Sequence, residues 1–161
     1  AFVRLELLDS IQHLDDNRIV GSRLIHPEED YLRDHFPKFP VLPGVLMLEA
    51  LVQGATWLLH KRTNFAKTFA VLKEAKNVRY GQFVAPGHTL VVEVEFLKET
   101  TSGATFKGLG TVDGQTALSA RFEMVYFDLA EKAPRLADLE DKLRRHTQKR
   151  WNALTMQGVT V

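Results

Sequence analysis

Cysteine is absent from the 161-residue sequence. The chain therefore cannot carry a disulfide scaffold, a thiolate zinc site or a cysteine nucleophile, and the absence fits a reducing compartment. An excess of charge of one sign is also missing, because 21 basic and 20 acidic side chains leave a net charge of +1. No global field attracts nucleic acid or an anionic membrane, so an acidic partner would need a local basic patch.

A long uninterrupted apolar run is missing as well. The longest apolar stretch, residues 41–59, is broken by Pro43, Glu49 and Gln53 among others, and it falls short of a membrane span. The first ten residues, AFVRLELLDS, lack the basic region and apolar run of a signal peptide. We therefore expect a soluble, cytoplasmic protein with no membrane span.

Alternating apolar and polar residues predict a largely antiparallel sheet of about six strands. The predicted strands cover residues 2–8, 18–26, 68–80, 89–99, 104–112 and 116–127. Residues 43–61, between the second and third strands, predict a helix that is apolar on nearly every side, which is typical of a buried helix. A sheet curled around that helix would bury it, so the fold class is α+β.

The composition changes after Pro134. Residues 135–151 predict a strongly charged helix with a narrow stripe of Leu136, Leu139 and Leu143. Because this apolar face is weak, we expect the tail to dock on a neighbour or to fray. We accordingly divide the chain into a domain over residues 1–130 and a charged helical extension over residues 131–161.

One face of the predicted central helix is polar. Glu49, Gln53, Thr56 and His60 follow one another at steps of four, three and four, which places them in line. Burial disfavours the charged form of a carboxylate, and a carboxylic acid that stays protonated near neutral pH can act as a general acid. The alternative for Glu49 is an ordinary solvated or salt-bridged residue. For His60, beside two basic residues, we expect solvent exposure.

Two further elements lie at or before the start of this helix. His35, in His-Phe-Pro, has a side chain that can act as a base near neutral pH, although a loop histidine can equally be a plain surface residue. The segment Pro43-Gly44-Val45 offers helix N-terminal N–H groups that can hold a developing oxyanion. Gly44 has no side chain that would block a ligand from that backbone.

Together these elements spell HFPKFPVLPGVLMLEALVQ, residues 35–53. The segment resembles the signature of the 3-hydroxyacyl-acyl-carrier-protein dehydratases of fatty acid synthesis, which has His-Phe-Pro, then Pro-Gly, then Glu-Ala and Gln at these spacings. Weaker likeness extends the resemblance over about residues 1–127. The sequence departs from the family pattern at Asp34, Lys38 and His88, where Gly, Gly and Asp are usual.

The resemblance implies a hot-dog fold, in which an antiparallel sheet wraps around a central helix. It implies a homodimer, or a trimer of dimers, and no metal or redox cofactor. By position, His35 would be the catalytic histidine and Glu49 the catalytic acid of the facing subunit. Gly44 would supply the N–H that holds the thioester carbonyl, Val41 a carbonyl that orients the imidazole, and Gln53 a hydrogen bond near Glu49.

The implied activity is that of a hydro-lyase, which dehydrates (3R)-hydroxyacyl thioesters to trans-2-enoyl thioesters. The substrate would be carried by acyl carrier protein or by coenzyme A. Because carrier proteins are acidic, a basic mouth is expected. The basic candidates for it are Lys38, Lys61, Arg62, Lys76 and Arg79.

Other interpretations stay open. A hot-dog acyl thioesterase would use Glu49 to direct water at the thioester carbonyl, and a non-catalytic acyl-binding or assembly subunit would use the tail as a docking arm. A nucleic-acid contact at residues 142–150 is disfavoured by the adjacent acidic ADLED segment and by the near-zero net charge. The acyl chain length and the pathway are not determined by these residues.

Overall fold

The structure, a computed structural model, describes residues 6–27 and 41–155. Its strands are β1 (Ser10–Leu14), β2 (Arg18–Leu24), β3 (Phe69–Tyr80), β4 (Thr89–Glu99), β5 (Gly103–Val112) and β6 (Gln115–Phe127). Its helices are α1 (Gly44–Thr63), the short α2 (Leu129–Lys132) and α3 (Ala137–Thr155), with a single 3-10 turn (Pro134–Leu136) before α3. No helix within these two ranges is long and apolar enough to cross a membrane.

All six strands form one sheet in the order β1-β2-β4-β5-β6-β3, and every neighbouring pair is antiparallel. The helix α1 packs on one face of this sheet. A Cβ atom added to Gly108 of β5 would lie 2.8 Å from Leu51 Cδ1, and one added to Gly54 of α1 would lie 3.0 Å from Val94 Cγ2. Glycine on both surfaces therefore lets the helix approach the sheet closely, and the predicted hot-dog arrangement is confirmed.

The core lies between α1 and the sheet face that it covers. Leu51 and Leu58 of α1 are fully buried, as are Phe106 of β5 and Met124 of β6. Each such side chain contributes about 2 kcal/mol when it leaves water. The helix is therefore held mainly by its apolar faces, and its polar stripe lies outside this contact.

The ends of α1 follow from local chemistry. Pro43 occupies the position before the first helical residue and offers no side-chain cap, so the first N–H groups of the helix have neither an intrahelical acceptor nor an N-cap side-chain acceptor. At the other end Asn64 adopts a left-handed conformation, with φ of 52°, and its N–H reaches the carbonyls of His60 and Lys61. The helix thus runs two residues beyond its predicted end at residue 61.

The predicted first strand, residues 2–8, is wrong over residues 6–8, the part of it that the structure describes. Glu6–Leu8 form no strand, and β1 begins instead at Ser10. Leu7 and Leu8 are both buried, which an alternating strand with one solvated face does not allow. The Asp15 carboxylate accepts hydrogen bonds from the N–H groups of Asn17 and Arg18, which closes the turn between β1 and β2.

The tail forms a helix, as predicted, and its fully buried residues are not the leucines of the predicted stripe. Leu139 is 47% exposed, whereas Glu140 and Leu154 are the buried residues of α3. The Glu140 carboxylate accepts hydrogen bonds from Thr68 Oγ1 at 2.7 Å and from the Ala130 N–H at 3.0 Å. The extension therefore docks on its own chain, through a buried carboxylate and its C-terminal turns.

Candidate active site

The polar stripe of α1 lines a cavity of about 480 Å³. The walls of this cavity come from α1, from the segment before β1, from the start of β3 and from α3. Its lining includes Glu49, Gln53, Thr56 and His60 of the stripe. The sequence spacing thus placed four polar side chains on one surface, and the structure confirms that they face the same space.

Glu49 is exposed in the single chain, as the solvated alternative for this residue has it. Val45, one turn earlier on α1, is 69% exposed. The N-terminal half of this helix therefore has an uncovered side in the monomer. Desolvation of Glu49 requires something other than the described part of one chain.

Gln53 bridges Glu49 to the segment before β1. Its Oε1 accepts a hydrogen bond from the Leu7 N–H at 2.8 Å, and its Nε2 donates to Glu49 Oε1 at 3.3 Å. One contact uses the oxygen of the Gln53 amide and the other uses its nitrogen. Because the Leu7 N–H can only donate, it fixes which end of the amide faces it and which end faces Glu49. The hydrogen bond near Glu49 that the family resemblance implied is present.

The start of α1 is closely packed by a residue that the sequence pattern did not single out. A Cβ atom on Gly44 would lie 2.7 Å from Tyr80 Cε1, so the tyrosine ring rests against the glycine. The N–H groups of Leu46 and Met47 reach the Pro43 carbonyl at 3.0 and 3.2 Å. The N–H groups ahead of them are the ones that a helix start leaves without an intrahelical acceptor.

The residues directly before α1 are held against the loop after β3. Val41 is buried, and the Leu42 N–H bonds to the Val84 carbonyl at 2.8 Å. A cavity of about 340 Å³ lies beside Val41 and includes His88, whose Nδ1 lies 3.0 Å from Asp113 Oδ2. His35, together with Asp34 and Lys38, lies outside the described residues, so its predicted role stays a prediction.

The prediction that His60 is solvent-exposed is wrong. Its side chain is 6% exposed, stacked on Phe65 and packed near Trp57. Burial lowers the pKa of the imidazole to about 4, so it is neutral at physiological pH. The aromatic residues that cover it come from the loop after α1 and from its own helix. His60 therefore closes the far end of the stripe as an uncharged group.

The described basic residues predicted for a carrier-protein mouth are divided between two elements, the end of α1 and β3. Lys61 lies 17 residues after Gly44, about 26 Å along the helix. Its Nζ pairs with Asp16 Oδ1 at 3.1 Å, while Arg62 bonds the Asp16 carbonyl and lies over the Phe96 ring. These two cations hold the end of α1 to the β1–β2 turn. Within the described residues, Lys76 and Arg79 remain the candidates, both on β3.

The helix α3 supplies side chains to the cavity that sequence analysis assigned only to a charged tail. His146 and Arg150 line the cavity beside the polar stripe. Arg150 Nη2 donates to Glu6 Oε2 at 2.9 Å and to the Leu8 carbonyl at 3.2 Å. Nothing in the local sequence of this tail indicates such contacts, because the partners lie more than 140 residues away.

Comparison with known proteins identifies the family. The family model described as "FabA-like domain" matches residues 2–121. The chain belongs to this family. Among curated relatives, the 3-hydroxyacyl-[acyl-carrier-protein] dehydratase FabZ of Solibacter usitatus is 35% identical over 135 residues, covering 83% of each chain. The FabZ dehydratase of Vibrio cholerae is 39% identical over 123 residues, covering 73% of this chain and 78% of the relative.

Solved structures agree on the fold of this FabA-like chain. The dehydratase heterocomplex ApeI:P from Xenorhabdus doucetiae aligns with a TM-score of 0.66 at 17% identity, over 81% of this chain and 89% of that one. A mutant of the thioesterase PA1618 from Pseudomonas aeruginosa aligns with a TM-score of 0.59 at 14% identity, covering 74% and 81%. Both a dehydratase and a thioesterase share this fold, so the fold alone does not select the chemistry.

Proposed function

We propose that this FabA-like chain dehydrates (3R)-hydroxyacyl thioesters, carried by acyl carrier protein, to trans-2-enoyl thioesters for fatty acid or related lipid synthesis. The observation that carries the proposal is Glu49, in a polar stripe that lines a cavity along an otherwise apolar helix. Membership of a family whose curated relatives are named as such dehydratases supports it.

The proposed chemistry needs a base, an acid and an oxyanion donor. His35 removes a proton from C2 of the substrate, and the negative charge that develops on the thioester oxygen is met by the N–H of Gly44. Protonated Glu49 gives its proton to the C3 hydroxyl, which leaves as water. Removal of one oxyanion donor typically costs about 2.7–4 kcal/mol in the transition state, so this helix start would matter to the rate. Val41 would orient the imidazole through its carbonyl.

We further propose that the working unit is a homodimer in which His35 and Glu49 come from different subunits. The exposure of Glu49 and Val45 supports this, since a second chain would cover that side of α1. The strand β3 supports it as well, because it lies at the edge of the sheet with Val71 and Leu72 exposed. An unpaired apolar edge of this kind is a template for pairing with another strand.

The test is a dehydration assay on 3-hydroxyacyl carrier-protein substrates of several chain lengths, with the trans-2-enoyl product measured directly. His35→Ala and Glu49→Gln should each lower turnover by roughly a hundredfold or more, the usual contribution of a general acid or base. Glu95→Gln, on the exposed outer face of β4, is the matched control and should keep parental turnover. If both active-site variants turn over like the parent, or if free thiol rather than enoyl product appears, the proposal is wrong.

Carrier-protein binding has a separate test. Arg79→Glu and Lys76→Glu should raise the apparent KM for a carrier-bound substrate while hardly affecting a small thioester, because the charges meet an acidic carrier and not the acyl group. Lys61→Glu, at the far end of α1, is the control and should leave both KM values near those of the parent. Equal effects on both substrates would refute a docking role for β3.

A further inference from the structure

Beside the cavity, a series of hydrogen bonds joined by a short piece of backbone connects α1 to the C-terminal helix α3. Glu49 accepts from Gln53 Nε2, and Gln53 Oε1 accepts from the Leu7 N–H. The carbonyl of the next residue, Leu8, accepts from Arg150 Nη2. A carboxylate on the central helix is thereby linked to a guanidinium on α3 through a short piece of backbone.

The direction of this chain is fixed by chemistry. A backbone N–H can only donate, so the atom of Gln53 that meets Leu7 must be the carbonyl oxygen. The amide nitrogen is then turned toward Glu49 and can only donate to it. If Leu7 were free to move, the amide could rotate and present its oxygen to the carboxylate, which would remove the hydrogen bond.

Arg150 contacts the residues on both sides of Leu7, the side chain of Glu6 and the backbone of Leu8. Its guanidinium bonds the carboxylate of Glu6 at 2.9 Å and the carbonyl of Leu8 at 3.2 Å. A planar guanidinium offers several donors in a fixed arrangement, which suits a contact to two acceptors at once. The Leu8 carbonyl belongs to the residue that follows Leu7, so this contact restrains the backbone that carries the Leu7 N–H in its direction toward Gln53.

We propose that Arg150 is a positioning residue for dehydration, acting through Leu8, Leu7 and Gln53 to hold Glu49 in its productive orientation; this inference rests on the proposed function of Glu49. Arg150 lies beyond residues 2–121, the range that the family model matches. The extension thus takes part in the reaction that the family domain carries out, and does more than cover its surface.

The structure provides a control that separates this role from simple docking of α3. Arg144, on the same helix, donates to the carbonyls of Phe65 and Ala66 at 3.1 and 3.4 Å. It anchors α3 to the loop after α1, and its ion pairs go to Asp128 and to Glu140 and Asp141 of its own helix. Loss of Arg144 should loosen the helix without releasing Leu7.

The experiment measures kcat, KM and the thermal midpoint of full-length variants with 3-hydroxydecanoyl-N-acetylcysteamine as substrate. Arg150→Ala should lower kcat roughly five- to tenfold, the loss expected when one hydrogen bond stops acting on the transition state, with KM little changed. Arg150→Lys should recover most of kcat, because an ammonium group can donate to the same oxygens. Arg144→Ala should lower the thermal midpoint while kcat stays at the parental value.

A double-mutant cycle with Gln53→Ala tests the route. If Arg150 acts through Gln53, the double variant should have the same kcat as Gln53→Ala, because Arg150→Ala then has no hydrogen bond left to disturb. Losses that multiply, an unchanged kcat in Arg150→Ala, or an equal loss in Arg144→Ala would each overturn the inference. Should Arg150→Ala fail to fold, Arg150→Gln enters the same cycle. If Glu49→Gln keeps parental turnover, the proposed function itself fails, so the two failures are distinguishable.

Discussion

The imidazole of His60 lies nearly parallel to the ring of Phe65, with 5.3 Å between the ring centroids and 12° between the planes. Trp57 lies 5.6 Å from the same imidazole and also 5.6 Å from Trp151 of α3. An aromatic cluster therefore covers the end of α1 and joins it to the C-terminal helix. A charge on His60 would be placed inside this cluster.

This burial predicts a loss of stability in mild acid. The unfolded chain takes up a proton on His60 near pH 6.5, whereas the pKa of the folded group is lowered to about 4 by burial. Between these values the unfolded state binds more protons, so the free energy of unfolding falls as pH falls, by roughly 2–4 kcal/mol over the whole interval. Urea unfolding at pH 7.5, 6.0 and 4.5 measures the slope.

The matched variants for this slope are His60→Leu and His146→Gln. The first should flatten the dependence between pH 6.5 and 4, because the group that takes up the proton is removed. The second replaces an exposed histidine of α3 and should reproduce the parental slope. A parental slope in His60→Leu would show that other groups are responsible for the acid sensitivity.

The buried carboxylate of Glu140 should be a strong contributor to docking of the extension. Glu140→Gln replaces one carboxylate oxygen by an amide nitrogen, which cannot accept a hydrogen bond from Thr68, Ala130 or Arg144. The variant should therefore reduce the free energy of unfolding by about 1–3 kcal/mol. Glu131→Gln is the control, since its ion pair with Lys67 is solvent-exposed and worth less than about 1 kcal/mol. Equal effects in urea unfolding would contradict the structural role of Glu140.

The edge strand β3 should control association. Val71→Lys and Leu72→Lys place a charge on an exposed edge, which disfavours pairing with a second copy, so both variants should shift toward monomer and lose turnover together. Sedimentation velocity and the dehydration assay measure the two effects. The control is Val91→Lys on β4, an interior strand that lies between β2 and β5; Val91 is about as exposed as Leu72. This variant should keep the parental association state and the parental turnover. Monomeric variants with full turnover would refute a site shared between subunits.

The sequence predicted the parts of the fold that depend on local pattern. Alternation along residues 89–99 matches β4 at both ends, and the predicted strands 104–112 and 116–127 pair with each other as β5 and β6. The helical spacing of Glu49 and Gln53 placed both on one cavity wall. These inferences succeed because strand alternation and helical periodicity are properties of neighbouring residues.

The errors concern contacts between distant segments. His60 stacks on Phe65, which in turn packs against Trp151, and Glu140 bonds Thr68; periodicity can place none of these contacts. The exposure of Glu49 was one of two alternatives that helical periodicity leaves open, because periodicity does not show which sides of a helix its own chain covers. Local pattern identifies which side chains share a face, whereas the tertiary structure determines what covers that face.

The contact between Arg150 and Glu6 brings together residues near the two extremities of the described chain. During synthesis the segment before β1 is made early, but it cannot form its contact with Arg150 until almost the entire polypeptide has been made. Contacts of such high sequence separation form late and slow the final stage of folding. The helix α3 therefore holds the segment before β1 in place at the end of folding. A truncation before residue 150 should release this segment while the sheet and α1 stay folded.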